Sequence, residues 1–184
     1  MITVLNLYSS LNGQTRKVAL EIEKACLEAG CSVTTVNARD QHDTLDLLEY
    51  DMTFAGSGVY TWLPDKNMLS FIDRQLAEAR KHNLIHPNSP RVSGKHVCVY
   101  CTYGGPHTGE AEAIPAVKYM GQLFDHLGIT IAGEWCIPGA FVPEKMHIFN
   151  TQGRLGNIEG RPNNDDLKRI YEQTIRLISS LDFS

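Results

Sequence analysis

Short apolar, β-branched runs alternate along this 184-residue chain with stretches whose apolar residues recur at helical spacing. That alternation restricts the fold more than any other feature. Residues 2–8 (ITVLNLY), 31–37 (CSVTTVN), 52–56 (MTFAG), 95–102 (KHVCVYCT) and 129–137 are expected to be strands. Between the first two, Val18, Ile22, Cys26 and Ala29 stand at offsets of four, four and three, a helix stripe that Gly30 can stop. Leu69, Ile72, Leu76 and Ala79 mark a second long helix, with Asp65 as its cap. Val117, Met120, Phe124 and Leu127 mark a third, with Pro115 in its first turn and Gly128 at its end. Asn164, Asp165 and Asp166 open a last helix carrying Leu167, Ile170, Thr174, Leu177, Ile178 and Leu181. Residues 44–49 are at most a short helix. Strands that are apolar throughout are buried on both faces. The expected fold is therefore α/β, a doubly wound, five-stranded parallel sheet with helices on both faces.

Composition removes several function classes. Lys plus Arg is 17 against 21 for Asp plus Glu, a formal charge of −4, so the chain lacks the basic footprint of a nucleic-acid binder. Hydrophobic residues are 42% and charged residues 21%, which suits one ordered domain, expected over 1–184. No apolar run approaches a membrane span, and the first residues carry no basic segment of a secretory signal. Five Cys, an odd number without disulfide-scaffold spacing, are expected as reduced thiols in a cytoplasmic protein. Residues 138–163 are rich in Gly, Pro and Asn and lack a clear period, so they form an extended loop or insertion, which is functional or hides an element.

Ligands of doubly wound sheets bind at the carboxyl ends of the strands, where the strand order reverses. Three loops belong at that edge. The first, Ser9, Ser10, Leu11, Asn12, Gly13, Gln14 and Thr15, joins a strand to a helix. It offers hydroxyls, amides, a glycine and the free N–H groups of a helix start, which suits a phosphate. It also suits an ordinary capped helix. The second loop, Gly56, Ser57, Gly58, Val59, Tyr60, Thr61 and Trp62, exposes two aromatic rings that can stack on a flat ligand or pack on the next helix. The third, Thr102, Tyr103, Gly104, Gly105, Pro106, His107, Thr108 and Gly109, holds another aromatic, two glycines, and a His that is either a proton donor or a solvated loop residue.

A strand, then Ser10-Leu11-Asn12-Gly13-Gln14-Thr15, then an amphipathic helix, resembles the phosphate loop of the flavodoxin family, whose pattern is hydroxyl-x-hydroxyl-Gly-x-Thr. Asn12 departs from the hydroxyl found there in the family. The resemblance extends over nearly the whole chain in element order and implies a flavodoxin-like sheet of order 2-1-3-4-5. It implies noncovalent FMN, with phosphate in loop 9–15 and the ring between loops 56–62 and 102–109. The implied cofactor-binding residues are Ser9, Ser10, Asn12, Gly13, Gln14, Thr15, Ser57, Gly58, Val59, Tyr60, Thr61, Trp62, Thr102, Tyr103, Gly104, Gly105 and His107. The third loop holds no acid before Glu110, unlike many flavodoxins.

Other constellations fail. Cys98 and Cys101 lie three apart in a strand and so face opposite sides. No Cys is followed six positions later by Arg. No pair of His stands at metal-ligand spacing on a helix, and no Gly-x-Ser-x-Gly elbow occurs. The basic stretch Arg80, Lys81, His82, His86, Arg91, Lys95 and His96 is either a solvated helix end and loop or a docking face for an acidic redox partner. The expected function is electron transport by an FMN flavoprotein that receives electrons from a partner protein or a nicotinamide. An NAD(P)H-dependent flavin or quinone oxidoreductase, often with a second subunit, is an alternative favoured by the 138–163 extension. A flavin-free module for a phosphate-bearing ligand is the third.

Overall fold

The computed structural model describes residues 1–41, 43 and 45–183. The elements in chain order are β1 (Thr3–Ser9), α1 (Gln14–Glu28), β2 (Ser32–Asn37), β3 (Met52–Tyr60), β4 (Leu63–Pro64), α2 (Lys66–Lys81), β5 (His96–Tyr103), α3 (Ile114–His126), β6 (Thr130–Pro138), α4 (Ile148–Gln152) and α5 (Asn164–Ser180). The short helix expected over 44–49 is a single 3-10 turn, Leu47–Glu49. Its expected start at Thr44 lies outside the described residues.

Five parallel strands lie in the order β2-β1-β3-β5-β6. Counting only the parallel strands, this is the expected 2-1-3-4-5. Alternate residues of each strand feed two separate cores. Leu5, Leu7, Ala55, Val97, Val99 and Cys101 pack with Met68, Phe71 and Ile72 of α2 and Val117, Met120 and Phe124 of α3. Val4, Met52, Phe54, Cys98 and Tyr100 pack with Val18, Ile22 and Cys26 of α1 and Ile170 and Ile178 of α5. Cys98 and Cys101 therefore lie in different cores, as their odd spacing requires. The order reverses between β1 and β3, and their carboxyl ends open the crevice of the fold.

Local signals act where expected. Gly30 and Gly128 end α1 and α3 with φ of 80° and 77°. Asp65 caps α2 by accepting from the N–H groups of Asn67 and Met68. The last helix, α5, opens at Asn164 as expected, and Asn163 caps it in a reciprocal capping box with Asp166.

Two regions differ from the sequence expectation. β3 does not stop at Gly56 but runs on to Tyr60 and turns back through Thr61 and Trp62 into antiparallel β4. Both turn residues are left-handed, with φ of 50° and 66°. Two-residue hairpins of this kind favour Asn-Gly, and Thr-Trp carries no such signature. Residues held in this region cost about 1–3 kcal/mol each. The 138–163 segment is also not structureless. It contains a 3-10 turn at Glu144–Met146 and α4, with Asn150 and Ile158 buried.

The β3–β5 contact needs a glycine at 56. A Cβ there would stand 2.0 Å from the ring of fully buried Tyr100. Gly56→Ala is expected to lower stability by at least about 1–3 kcal/mol through overpacking. Urea unfolding followed by circular dichroism checks this, and an unchanged midpoint would show that the ring moves freely.

Candidate functional site

At the carboxyl ends of β1, β3 and β5 a cavity of about 330 Å³ opens, within the range of small-molecule sites. Its first wall is the loop from β1 into α1. Gly13 has φ of 85°, and no side chain caps the helix start. The capped-helix reading of this loop is therefore not what is found, and the first-turn N–H groups are left for another acceptor. Ser10 Oγ and Gln14 Oε1 are buried without a hydrogen-bond partner. Buried polar groups normally find one, so two orphans on a cavity wall mark a place for a polar ligand group. The lining carries no Lys or Arg, leaving neutral donors and the α1 dipole to attract an anion.

The other loops are tied to this one. Thr15 and Thr102 share a buried hydroxyl–hydroxyl bond of 2.8 Å. Asn12 Nδ2 donates to the Tyr60 hydroxyl at 3.2 Å, so the residue that departs from the family pattern joins the first loop to the second. Gly58 keeps the wall open: a Cβ there would lie 3.0 Å from the Tyr60 ring and 3.6 Å from Thr15 Oγ1. Burial, and secondarily the Asp65 charge, raises the Tyr60 pKa. Burial, and then the Glu110 carboxylate, raises that of Tyr103. Both phenols stay neutral at ordinary pH.

Of the residues expected at the site, Ser10, Asn12, Gln14, Thr15, Gly58, Val59, Tyr60, Thr61, Thr102, Tyr103 and Gly104 line the cavity. The others lie elsewhere. Ser9 Oγ donates to Asp65 Oδ1 at 2.7 Å, and Ser57 Oγ accepts from the Asp65 N–H at 2.9 Å. These two serines fix the start of α2 beneath the cavity. Gly13 shapes the first loop without lining the wall, with nothing within 4 Å of its Cβ position. Gly105, with φ of 49°, closes its own loop, accepting from the Gly109 N–H at 3.1 Å. Trp62 stands 57% exposed at the hairpin tip. His107 is exposed. Its N–H and that of Thr108 donate to Glu112, and its ring meets Phe149 edge-on at 5.8 Å.

Gly139, Ala140, Phe141, Pro143 and Met146 also line the cavity, and none of them was singled out in the sequence. They follow the carboxyl end of β6, which was the available signal. The Gly139 N–H donates to Tyr103 O at 2.8 Å, and Gln14 Nε2 donates to Ala140 O at 3.2 Å. One buried amide holds Phe141: its N–H donates to Asn150 Oδ1 at 2.7 Å, and Asn150 Nδ2 donates to its carbonyl at 3.0 Å. The Phe141 ring lies so close over Gly104 that a Cβ there would meet it at 2.2 Å. The far end of the segment is anchored by Arg161. Its carbonyl accepts from the Ala140 N–H, and its guanidinium pairs with Asp166.

The basic stretch is largely paired, Lys81 and His82 with Glu78, Arg91 with Asp125 and Lys95 with Asp51. Among the described residues no group of three or more His, Cys, Asp or Glu could hold a metal. No helix among them is long and apolar enough to cross a membrane.

The fold and cavity define a doubly wound α/β protein with a small-molecule crevice at its topological switch point. The sequence matches the family model of the flavodoxin domain over residues 5–152, and the chain belongs to that family. Among solved structures, flavodoxin 1 from Bacillus cereus superposes with a TM-score of 0.67 at 13% identity, covering 98% of this chain and 99% of that one. The WrbA-like flavodoxin protein from Agrobacterium tumefaciens gives 0.61 at 13%, covering 97% and 96%. A flavone reductase gives 0.63 at 10%, covering all of this chain and 66% of that one. These identities show a shared fold. No curated protein matches the sequence.

The anchor at Arg161 makes the segment sensitive to acid. Burial raises the Asp166 pKa, but the hydrogen bonds from Arg161 and the Asn163 N–H, with the charges of Arg161 and Arg169, bring it below the usual carboxylate value. A depressed folded pKa stabilises above the unfolded value of about 3.9, and the contribution is lost as pH falls through the folded value. The stability difference between the protein and Asp166→Asn is therefore expected to be full at neutral pH and to shrink below about pH 4. Urea midpoints measured against pH check this, and a constant difference would contradict it.

Proposed function

We propose that this is a cytoplasmic FMN-binding redox protein, a single flavodoxin-like domain that passes electrons through a noncovalent flavin. The observation that carries the proposal is the unpartnered buried Ser10 hydroxyl beside the uncapped start of α1, a set of donors for an anion, while the unpartnered Gln14 Oε1 can accept from a ligand hydroxyl or N–H. The residues fit the group. Loop 10–15 would hold the phosphate through hydroxyl, amide and backbone donors. Tyr60, Tyr103 and Phe141 offer aromatic walls to the ring, and the backbone at Gly58 and Gly104 supplies polar contacts along its edge. FMN, when bound, supplies one- and two-electron chemistry, and the protein supplies position and electrostatics. Trp62, exposed at the hairpin tip, and His107 remain candidates for contact with an incoming partner.

A second reading is favoured by one observation. The 139–146 segment adds a third aromatic wall, Phe141, to the cavity, as suits a site that shelters a second small substrate. Under this reading the protein is an NAD(P)H-dependent flavin or quinone oxidoreductase, and the flavone reductase likeness is in keeping with it. Anaerobic mixing of the FMN-loaded protein with NADPH separates the two. Bleaching of the flavin band without added reductase supports the oxidoreductase, and a band unchanged until a reductase is added supports the carrier.

The cofactor itself is tested by the visible spectrum after FMN is added and the excess removed. A retained flavin band is expected. Ser10→Ala is expected to weaken FMN at least about tenfold, since hydrogen bonds to charged groups contribute about 1.5–3 kcal/mol. Riboflavin, which lacks the phosphate, is expected to bind both proteins alike in fluorescence titrations. If no flavin is retained, the proposal fails and the loop serves another phosphate-bearing ligand.

A further inference from the structure

Two thiols meet beneath the cavity, and the proposed cofactor site uses neither. Cys101 and Cys136 are direct partners in the parallel register of β5 and β6. Both project to the face covered by α3. Neighbouring strands stand about 4.7–4.9 Å apart, within the Cα separation of about 4.4–6.8 Å that a disulfide spans. Each thiol is the largest single influence on the other's protonation. Their access differs: Cys101 is fully buried, while Cys136, on the edge strand, is half-buried.

Access separates their roles: a peroxide can reach half-buried Cys136, and Cys101 lies fully buried behind it. The neighbouring Cys101 lowers the Cys136 pKa, against opposing contributions from burial and the Glu110 and Glu134 charges. Cys136, with burial, pushes Cys101 well above its ordinary value. Elsewhere burial pushes Cys26 up to about 12 and Cys98 well above the ordinary value, as for inert core thiols.

We propose that Cys136 is a site of oxidation by a hydroperoxide and that Cys101 resolves the product as a disulfide joining β5 to β6. The Cys136 thiolate attacks the terminal peroxide oxygen, the O–O bond breaks, and a sulfenic acid forms as the alkoxide leaves and takes up a proton. The Cys101 sulfur then attacks the Cys136 sulfur and the S–O bond breaks. The departing hydroxide takes the Cys101 proton and becomes water. Two thiols lose two electrons and two protons, and the hydroperoxide becomes an alcohol and water. The bond ties strand ends that carry the cavity, because Cys101 precedes Thr102 and Cys136 leads through Ile137 and Pro138 to Gly139. The proposal does not rest on the flavin reading.

The test treats the full chain, reduced and freed of reductant, with hydrogen peroxide. It is then alkylated under denaturing conditions and mapped by mass spectrometry. The expected result is loss of two hydrogens, a cross-linked peptide pair containing Cys101 and Cys136, and reversal by dithiothreitol. Cys101→Ser is expected to stop at the sulfenic acid, trapped on Cys136 by dimedone, and Cys136→Ser to give neither product. Thermal melts show whether the variants fold, and if Cys101→Ser does not, the map of the unaltered protein decides. Both thiols still alkylated after peroxide, a bond to another cysteine, or a cross-link between two chains would overturn the proposal.

Discussion

A buried parallel strand must have its peptide groups paired on both sides, and at the centre of the sheet β1 and β3 pair with each other and, on their outer sides, with β2 and β5. The rest of the structure follows from that pairing. The chain leaves β1 toward one edge and β3 toward the other, so the loops after them part and leave a crevice. The same ladder sets Ser9 opposite Ser57, and both serines reach Asp65, the cap of α2. Two buried serine side chains, one on the Asp65 carboxylate and one on its N–H, thus link the two central strands to the helix that follows them.

Above this layer the site is held by neutral contacts. Thr15 bonds Thr102, Asn12 bonds Tyr60, and Gln14 bonds Ala140. Each joins elements far apart in sequence, so the cavity wall forms only once the sheet is assembled. No Lys or Arg stands in the lining, and the donors free at this wall are the start of α1 and the Ser10 hydroxyl, while Gln14 Oε1 can only accept. The Phe141 wall is held from outside the sheet, by Asn150 on α4 and by the ion pair of Arg161 with Asp166 at the start of α5.

What could be read in advance was governed by periodicity. The five parallel strands, the helix stops at Gly30 and Gly128, and the cap at Asp65 follow from local patterns. The first loop was legible because a strand, a polar glycine-containing turn and a helix is itself a local pattern. The β3–β4 hairpin was not, because Thr61 and Trp62 adopt a backbone that their side chains disfavour. Phe141 and Met146 were not either, because nothing in a Gly- and Pro-rich stretch says where it folds back.

The sequence by itself determined the layered α/β architecture, the order of its elements and the chemistry of the first loop, since each depends on residues a few positions apart. Tertiary structure alone decided that Ser9 and Ser57 brace α2 instead of lining the cavity. It decided that the 139–146 segment closes one wall, and that Cys101 meets Cys136. These are contacts between distant parts of the chain, and strand register and burial select them after local propensity has done all it can.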